Sequence, residues 1–401
     1  MAAAVLAELA KVCGDGHARG AGPADAVAGV PVAVVVSPST VDEVAGVLRT
    51  AAAHRLTVVP RGAATMLGAG NPPSRPVDVV VDLTRMDAVL EHAAGDLVVR
   101  AQAGVRLAAL QSHVAPARQR LALDPPERAA TLGGLIAANR SGPLRHRFGT
   151  IRDLLLGVTV VLADGTVARS GGKVVKNVAG YDLGKLYTGS HGTLGVVVDA
   201  VLRLHPLPPA RRVVTLPARQ PARVAELAAE LGAAQLVPSA VEHDGDERVV
   251  TVLFEGRERA VDAQADAAAR LDRDATVADR PPPWWGEHPW TDPCAGVGLT
   301  VGFAPSALLD VLAVLPPNAR VRGRVATGVL EVALPAVDAD WLAWARERIA
   351  PGGGSVVVVA GRVPGLDVWG YRGDALDLMR RVKDRFDPAH LLSPGRFVGG
   401  I

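Results

Sequence analysis

The residues most able to do chemistry in this sequence lie in one stretch, Lys173–Val198. Its Lys176 is able to hold a carboxylate, and its Tyr181 is able to donate a hydrogen bond or carry a proton. These two are the catalytic candidates, although a solvated lysine and a packed tyrosine explain the pattern equally well. Asp182 is expected to cap the turn that follows. Five glycines interrupt the stretch, which predicts either tight turns or a backbone that approaches a ligand closely: Gly180, Gly184, Gly189, Gly192 and Gly195.

Three glycine-rich segments occur in the same half of the chain: Arg61–Gly70, Thr131–Gly142 and Gly189–Gly195. Each leaves or enters a predicted strand. One such segment is typical of a turn, whereas three together favour a large anionic ligand held by backbone N–H groups. No G-x-G-x-x-G follows a strand and opens a helix, and no G-x-x-x-x-G-K-[ST] is present. A Rossmann dinucleotide site and a P-loop are therefore excluded.

The order of these segments resembles the FAD-binding domain of the vanillyl-alcohol-oxidase family, also called the p-cresol-methylhydroxylase type. "VVPRGAATMLGAG" at Val58–Gly70 is similar to the family's pyrophosphate loop. Asp124–Gly165 is similar to its second flavin-contacting block, and Lys173–Val198 to its third, which ends in S-x-G-T-L-G. The paired phrases "SGPLRHRFGTIRDLLLG" and "GGKVVKNVAGYDL" are most similar to the FAD-binding E-type subunits of bacterial glycolate oxidases. The resemblance covers residues 25–208 and the C-terminal tail.

This resemblance implies a role for each segment. Gly62–Thr65 would present consecutive N–H donors to the pyrophosphate of FAD. Arg61 would either pair with a phosphate or cap the loop. Gly133 and Gly134 would let a helix N-terminus approach the flavin ring, where the helix dipole favours a reduced, anionic flavin. Gly192–Val197 would pass beneath the adenine or the ribose.

The implied FAD is non-covalent. Covalent members of the family carry a histidine just after the loop glycines or a cysteine in the second block. Here the loop holds Ala63, Ala64 and Thr65, and no cysteine lies between Cys13 and Cys294. The cofactor-binding residues that the resemblance implies are Arg61, Gly62, Ala63, Ala64, Thr65, Met66, Pro125, Thr131, Leu132, Gly133, Gly134, Asn139, Ser141, Gly142, Arg152, Asp153, Gly192, Gly195, Val196 and Val197.

The C-terminal half lacks the substrate signature of related enzymes. Relatives that oxidise D-2-hydroxy acids, including the D-type glycolate oxidase subunit, carry H-x-G-D-G-N-x-H, which binds a divalent metal and lowers the pKa of the substrate hydroxyl. Beyond Pro206 this chain has His243, in a predicted hairpin turn, His288 and His390, without ligand spacing. We therefore predict no metal site. His191 replaces the Glu or Gln common in the family's third turn, and it either faces the flavin as a base or is an exposed turn residue.

The elements that must position these residues are predicted to be α+β. Residues 1–208 are expected to form a two-subdomain FAD-binding domain of the p-cresol-methylhydroxylase (PCMH) type, in which Thr40 and Glu43 make a capping box. Residues 209–372 are expected to form a smaller α+β cap with an antiparallel sheet and helices, which contacts substrate or a partner. Residues 210–362 within it are expected to contain two similar halves. Residues 373–401 are expected to return to the FAD domain. Ser393 stands where relatives carry Asn, which argues against a tail that completes a substrate pocket.

The composition excludes several classes of protein. The 401 residues are 49% hydrophobic and 21% charged, which is typical of a globular chain. A net charge of +2 argues against nucleic-acid binding. The apolar runs are too short to span a membrane, and two distant cysteines cannot form an iron–sulfur or thiolate zinc site from this chain alone. We therefore expect a cytoplasmic protein, whose association with a membrane would need a partner.

Three functions remain open. The first is an FAD-binding subunit of a glycolate-oxidase-like complex, which oxidises a 2-hydroxy acid to a 2-oxo acid and passes electrons on, together with a D-type flavoprotein and an iron–sulfur subunit. The second is a self-sufficient FAD-dependent dehydrogenase for an alcohol or a 2-hydroxy acid. The third is a structural subunit that keeps the fold without turnover. The resemblance favours the first.

Overall fold

The computed structural model describes residues 2–173, 181–290, 296–361, 363, 365–371 and 373–401. This part of the chain contains twelve α-helices and nineteen β-strands. Helices and mostly antiparallel sheets are combined in it, so the predicted α+β class is confirmed. None of the helices within these ranges is both long enough and apolar enough to cross a membrane.

The first domain contains a small mixed sheet that leads into the first glycine-rich segment. Its strands are β1 (Ala18–Gly20), β2 (Val32–Val36), β3 (Val58–Arg61) and β4 (Val77–Asp82). They lie in the order β1-β2-β4-β3; β2 and β3 run parallel to β4, and β1 runs antiparallel to β2. The runs of valine in β2 and β4 favour such strands, which are buried on both faces.

A second sheet of the first domain is antiparallel and has the order β5-β6-β10-β8-β9. The third glycine-rich segment enters it through β10. The strands of this part of the chain are β5 (Val89–Ala93), β6 (Val98–Gln102), β7 (Gln119–Arg120), β8 (Leu155–Val161), β9 (Val167–Gly171), β10 (Val196–Arg203) and β11 (His205–Pro206), of which β7 and β11 pair separately.

Seven helices cover these two sheets: α1 (Ala2–Cys13), α2 (Val41–Ala53), α3 (Leu107–Val114), α4 (Leu132–Ala138), α5 (Arg145–Phe148), α6 (Ile151–Leu154) and α7 (Leu183–Tyr187). Residues of α1 to α4 and of both sheets form one apolar core. The predicted cap of α2 is present, because the Thr40 hydroxyl accepts from the Glu43 N–H at 3.1 Å. The Glu43 carboxylate reaches back to the Ser39 N–H, one residue further than a capping box requires.

The second domain is one eight-stranded antiparallel sheet with helices on one face. Its elements are β12 (Ala210–Pro217), α8 (Pro221–Ala233), β13 (Ala240–Asp244), β14 (Val249–Gly256), α9 (Glu258–Ala269), β15 (Thr276–Ala278), β16 (Val297–Gly302), α10 (Leu308–Val314), β17 (Arg320–Arg324), β18 (Val329–Leu334), α11 (Ala339–Ile349) and β19 (Ser355–Ala360). The order β15-β12-β14-β13-β17-β18-β16-β19 shows two halves with the same strand arrangement, joined where β13 pairs with β17. The two halves expected from the sequence are therefore present. β11 ends at Pro206 and β12 begins at Ala210, on either side of the boundary expected at residue 208.

The face of this sheet without helices packs against the first domain. Leu144, which precedes α5, is buried with Val213, Ala240 and Leu253 of the sheet. An ion pair between Arg120 and Glu255, 2.6 Å between Nη2 and Oε2, joins the same two domains. The two domains therefore share both an apolar and a charged contact.

The C-terminal tail returns to the first domain. Helix α12 (Leu376–Phe386) is followed by a segment that runs beside β3, where the Val58 N–H donates to Leu391 O and the Ser393 N–H donates to Val58 O, both at 2.8 Å. This segment covers the free edge of β3.

Candidate functional site

One crevice in the first domain is lined by all three glycine-rich segments. It contains about 840 Å³ of empty space, its open mouth included. The predicted residues that line it are Arg61, Gly62, Ala63, Ala64, Thr65, Met66, Thr131, Gly133, Gly134, Gly192, Gly195 and Val197. The three segments, which are distant in sequence, therefore meet at one open groove.

The first segment leaves β3 as a loop of free N–H donors. The backbone N–H groups of residues 62–66 donate to no group in the described part of the chain. Ala64 has a φ of 60°, so the loop bends sharply at that residue. A run of N–H groups around a left-handed residue forms a concave binding site for anions. The loop is therefore able to hold a phosphate or a similar group.

Arg61 holds this loop to the small sheet. Its Nη2 lies 2.7 Å from the Asp82 carboxylate, and its Nη1 lies 2.9 Å from the Asp25 carboxylate. Burial lowers the pKa of Arg61, but the hydrogen bonds that it donates to these two carboxylates outweigh burial and raise the pKa overall. Carboxylates therefore bind the guanidinium on two sides, and the two predicted roles, pairing with a phosphate or capping the loop, stay predictions.

The second segment begins with a capped helix that touches the first. The Thr131 hydroxyl accepts from the Gly134 N–H at 3.4 Å and so caps α4. A Cβ added to Gly62 would lie 2.0 Å from this hydroxyl oxygen, and a Cβ added to Gly133 would lie 2.8 Å from the Ala103 Cβ. The absence of a side chain at Gly62 and Gly133 therefore makes room for the side chains of Thr131 and Ala103.

Part of the second segment lies elsewhere than predicted. Leu132 is in the apolar core, and Asn139, Ser141 and Gly142 follow α4 outside the lining of the crevice. A Cβ on Gly142 would lie 1.8 Å from Asp124 O, so this glycine allows a close contact within the protein. Pro125 is buried next to it.

Arg152 and Asp153 also lie outside the crevice lining, and both are exposed. Asp153 accepts from the Thr150 N–H at 2.8 Å in a capping box, and Arg152 donates to Lys185 O. The Asp153 side chain therefore caps the start of α6, and the Arg152 side chain contacts α7.

The third segment places a histidine at the crevice. Gly192, Gly195 and Val197 line it, whereas Val196 points into the core. His191 has a φ of 53°, as a turn residue does, yet it is half-buried and lines the crevice, so the expectation of an exposed turn is corrected. Its ring lies 4.9 Å from Trp369 and 5.9 Å from Phe397, measured between centroids. Burial lowers the pKa of His191 to about 3, so this side chain is neutral at physiological pH.

Of the two predicted catalytic residues, only Tyr181 belongs to the part of the chain that the structure describes. Lys176 lies outside the described residues. Tyr181 is 93% exposed and is not among the lining residues. Asp182 accepts from the Lys185 N–H at 3.4 Å and caps α7, as expected.

Arg396, which the tail brings into the crevice, is not among the residues predicted from the sequence. Its side chain is buried, and its Nη2 donates to Leu67 O at 2.8 Å and to Ala69 O at 2.6 Å. The signal was a basic residue in "SPGRF". The motif itself does not indicate which part of the fold Arg396 contacts, because Arg396 and Leu67, which its side chain binds, are 329 positions apart.

Charged residues fill the contact between the second segment and the second domain. Arg324 donates to Ser141 O at 3.3 Å and to Glu331 at 2.8 Å, and Arg140 donates to Glu127 at 2.8 Å. His243, expected in a turn, lies in β13, and its Nδ1 is 2.9 Å from Val249 O.

Two carboxyl groups at this contact favour the protonated state. Burial raises the pKa of Asp124 to about 7 and the pKa of Glu242 to about 8. Nearby Arg324 lowers both values, but less than burial raises them. Both groups are therefore sensitive to pH near neutrality.

Part of the domain that carries the crevice is similar to known proteins. Residues 32–171 match the family model described as "FAD binding domain". The chain is 33% identical over 209 residues to the glycolate oxidase subunit GlcD of Bacillus subtilis (strain 168), a match that covers 52% of this chain and 44% of that protein. It is 39% identical over 175 residues to a D-lactate dehydrogenase of Archaeoglobus fulgidus, covering 43% of this chain and 39% of that protein. The matched part thus spans less than half the length of these relatives.

Solved structures extend the likeness to the whole chain. A p-cresol methylhydroxylase with substrate bound superposes with a TM-score of 0.77 at 16% identity, covering 98% of this chain and 96% of that chain. An alkyldihydroxyacetonephosphate synthase superposes with a TM-score of 0.72 at 16% identity, covering 98% of this chain and 84% of that chain. The predicted PCMH-type fold is therefore confirmed.

Proposed function

We propose that this protein is an FAD-dependent oxidoreductase subunit that holds FAD non-covalently in the crevice, since residues 32–171 match the model of an FAD-binding domain and the chain shares the fold of p-cresol methylhydroxylase. The observation that carries the proposal is the convergence of three glycine-rich segments on one crevice with five free N–H donors. The residues present fit this cofactor, since its diphosphate requires such donors and its flat rings require walls without large side chains.

The chain's own groups would bind and shield the cofactor. The N–H groups of residues 62–66 would bind the diphosphate, and Gly134, Ala137 and Val197 would provide an apolar wall that excludes water. Bound FAD supplies the acceptor for two electrons from a substrate C–H bond. A pKa of about 3 makes His191 a poor proton acceptor at neutral pH, so its ring would orient the cofactor or a partner group by hydrogen bonding.

The proposed substrate class is a small 2-hydroxy acid. The relatives that support it are the glycolate oxidase subunit, the D-lactate dehydrogenase and a D-2-hydroxyglutarate dehydrogenase of Xanthomonas citri pv. viticola, which is 36% identical over 190 residues. Each of these names denotes the oxidation of a 2-hydroxy acid. The product would be the corresponding 2-oxo acid.

We further propose that this chain works in a complex, like the E-type subunit of glycolate oxidases, with a D-type flavoprotein and an iron–sulfur subunit. The support comes from the contact between its two domains. Arg324, Glu331, Arg140 and Glu127 pair with each other there, so these groups are engaged within the chain rather than presented to a substrate. A partner that delivers electrons or substrate would then complete the activity.

The experiment uses the full-length chain, purified alone and with the products of neighbouring genes. We expect the isolated chain to carry one yellow FAD that acid precipitation releases into the supernatant. We expect dye reduction by glycolate or D-lactate only after the partners are added. Turnover by the isolated chain would favour a self-sufficient dehydrogenase, whereas a colourless chain that does not bind added FAD would refute the proposal.

A further inference from the structure

Arg396 is a buried cation at the wall of the crevice. Only 3% of this residue is exposed, although it lies on a segment that reaches the first domain from the far end of the chain. It lines the crevice together with the loop of free N–H donors at residues 62–66. Arginines of this kind are seldom buried without a partner.

The position of the guanidinium is fixed from two sides. Its Nη2 donates to the carbonyl oxygens of Leu67 and Ala69, which directly follow the N–H loop. The backbone oxygen of Arg396 accepts from the Asn71 N–H at 3.1 Å and from the Trp369 indole N–H at 3.0 Å. The backbone of Arg396 is therefore anchored, and its side chain cannot turn into solvent without losing both Nη2 hydrogen bonds.

The other terminal nitrogen, Nη1, is buried and has no hydrogen-bond partner among the described residues. No carboxylate in the described ranges forms an ion pair with Arg396, whereas Arg61 at the same crevice has two. Burial lowers the pKa of Arg396 to about 10, so the side chain is still cationic at neutral pH. A buried, charged donor without a counter-ion is costly unless an anion from outside the chain completes it.

We propose that Nη1 of Arg396 donates to a diphosphate oxygen of the nucleotide in the crevice, and so makes the C-terminal tail part of the cofactor site. The inference rests on the proposed function, and it adds to the FAD site a residue that lies outside the three glycine-rich segments. The diphosphate is the anion that fits, because the carbonyl groups that hold Nη2 belong to residues 67 and 69, directly after the N–H donors. Arginine is also well suited to phosphate oxygens.

The test measures binding of three ligands to the FAD-free full-length chain: FAD, ADP and riboflavin. Arg396→Met should weaken FAD and ADP each by about tenfold to a hundredfold, as expected for the loss of a hydrogen bond between charged groups. Riboflavin, which carries no phosphate, should bind the variant and the wild type alike. Arg396→Lys should recover part of the affinity for FAD and ADP, since it keeps the charge.

A control separates this effect from a loss of stability. Arg120→Met removes a half-buried arginine, which pairs with Glu255 away from the crevice. This variant should have a lower melting temperature and unchanged affinities for all three ligands. Equal weakening of riboflavin and FAD by Arg396→Met would show a purely structural role and overturn the inference. Unchanged FAD affinity in that variant would overturn it too, whereas failure of the wild type to bind FAD would refute the proposed function itself.

Discussion

The contact between Gly62 and Thr131 gives the sharpest test of the crevice. In Gly62→Ala the new methyl group would lie 2.0 Å from the Thr131 hydroxyl oxygen and 3.2 Å from the Thr131 Cβ. Non-bonded heavy atoms of this kind settle at about 3.5–4.0 Å, so the loop and α4 must separate by roughly 1.5 Å. Overpacking of this size costs about 1–3 kcal/mol of stability.

The same displacement moves the N–H groups that would bind the diphosphate. Hydrogen bonds to charged groups contribute about 1.5–3 kcal/mol each, so the loss of one should weaken FAD about tenfold or more. Urea denaturation of the FAD-free chain measures the stability, and fluorescence titration with FAD measures the affinity. Gly68→Ala is the matched control in the same loop, because a Cβ added there would have no neighbour within 4 Å.

A double-mutant cycle identifies the cause. Thr131→Ala alone should cost about 1 kcal/mol, since it removes the cap of α4. In the double variant Gly62→Ala/Thr131→Ala the clashing oxygen is gone, so the total loss should be smaller than the sum of the single losses by about 1 kcal/mol or more. Additive losses, or a Gly62→Ala variant as stable as Gly68→Ala, would refute the close approach of the two segments.

Three further predictions follow from buried or exposed side chains. Lys383→Met should lower the free energy of unfolding, measured in urea, by about 3–5 kcal/mol. The reason is that the fully buried Asp387 carboxylate, 2.7 Å from the lysine Nζ, loses its ion-pair partner. The double variant Lys383→Met/Asp387→Leu should recover part of this lost free energy, and no recovery would contradict the ion-pair argument. Burial raises the pKa of Glu242 from 4.5 to about 8, so the folded state keeps a proton that the unfolded state releases. The stability of the wild type relative to Glu242→Gln should therefore fall as the pH rises from 4.5 to 8. The same difference in urea midpoint between the two proteins at pH 5 and at pH 8 would contradict this prediction. Tyr181→Phe should leave dye reduction by the assembled complex unchanged, since this ring is 93% exposed, and a large loss of kcat at constant KM would instead reveal a proton carrier.

The sequence predicted the parts of the site that depend on local backbone chemistry. Glycine clusters often mark places where the backbone approaches another group closely, and for this reason the sequence predicts the loop after Arg61 and the start of α4 as ligand contacts; both line the crevice. Thr40 as a helix cap is a local signal of the same kind. The α+β order of strands and helices also follows from local patterns.

The parts that the sequence missed depend on contacts between distant residues. Whether Arg61 binds a phosphate or a carboxylate is decided by Asp25 and Asp82, which are brought to it by the fold of the small sheet. Arg396 reaches the loop from 329 positions away, and no motif encodes that distance. Gly142 resembles a ligand contact in the sequence, but its missing side chain makes room for Asp124 instead.

The loop after β3 and Arg396, which line the same crevice, are synthesised at different times. The loop that follows β3 leaves the ribosome early, whereas Arg396 is 329 positions behind Leu67, a delay of roughly 15–65 s at about 5–20 residues per second. During that interval the edge of β3 that Leu391 and Ser393 later cover is open to pairing with other nascent chains. Cofactor loading should therefore be a late event in biogenesis, and mistranslated or proteolysed chains that lose the last turns should accumulate as colourless, aggregation-prone protein.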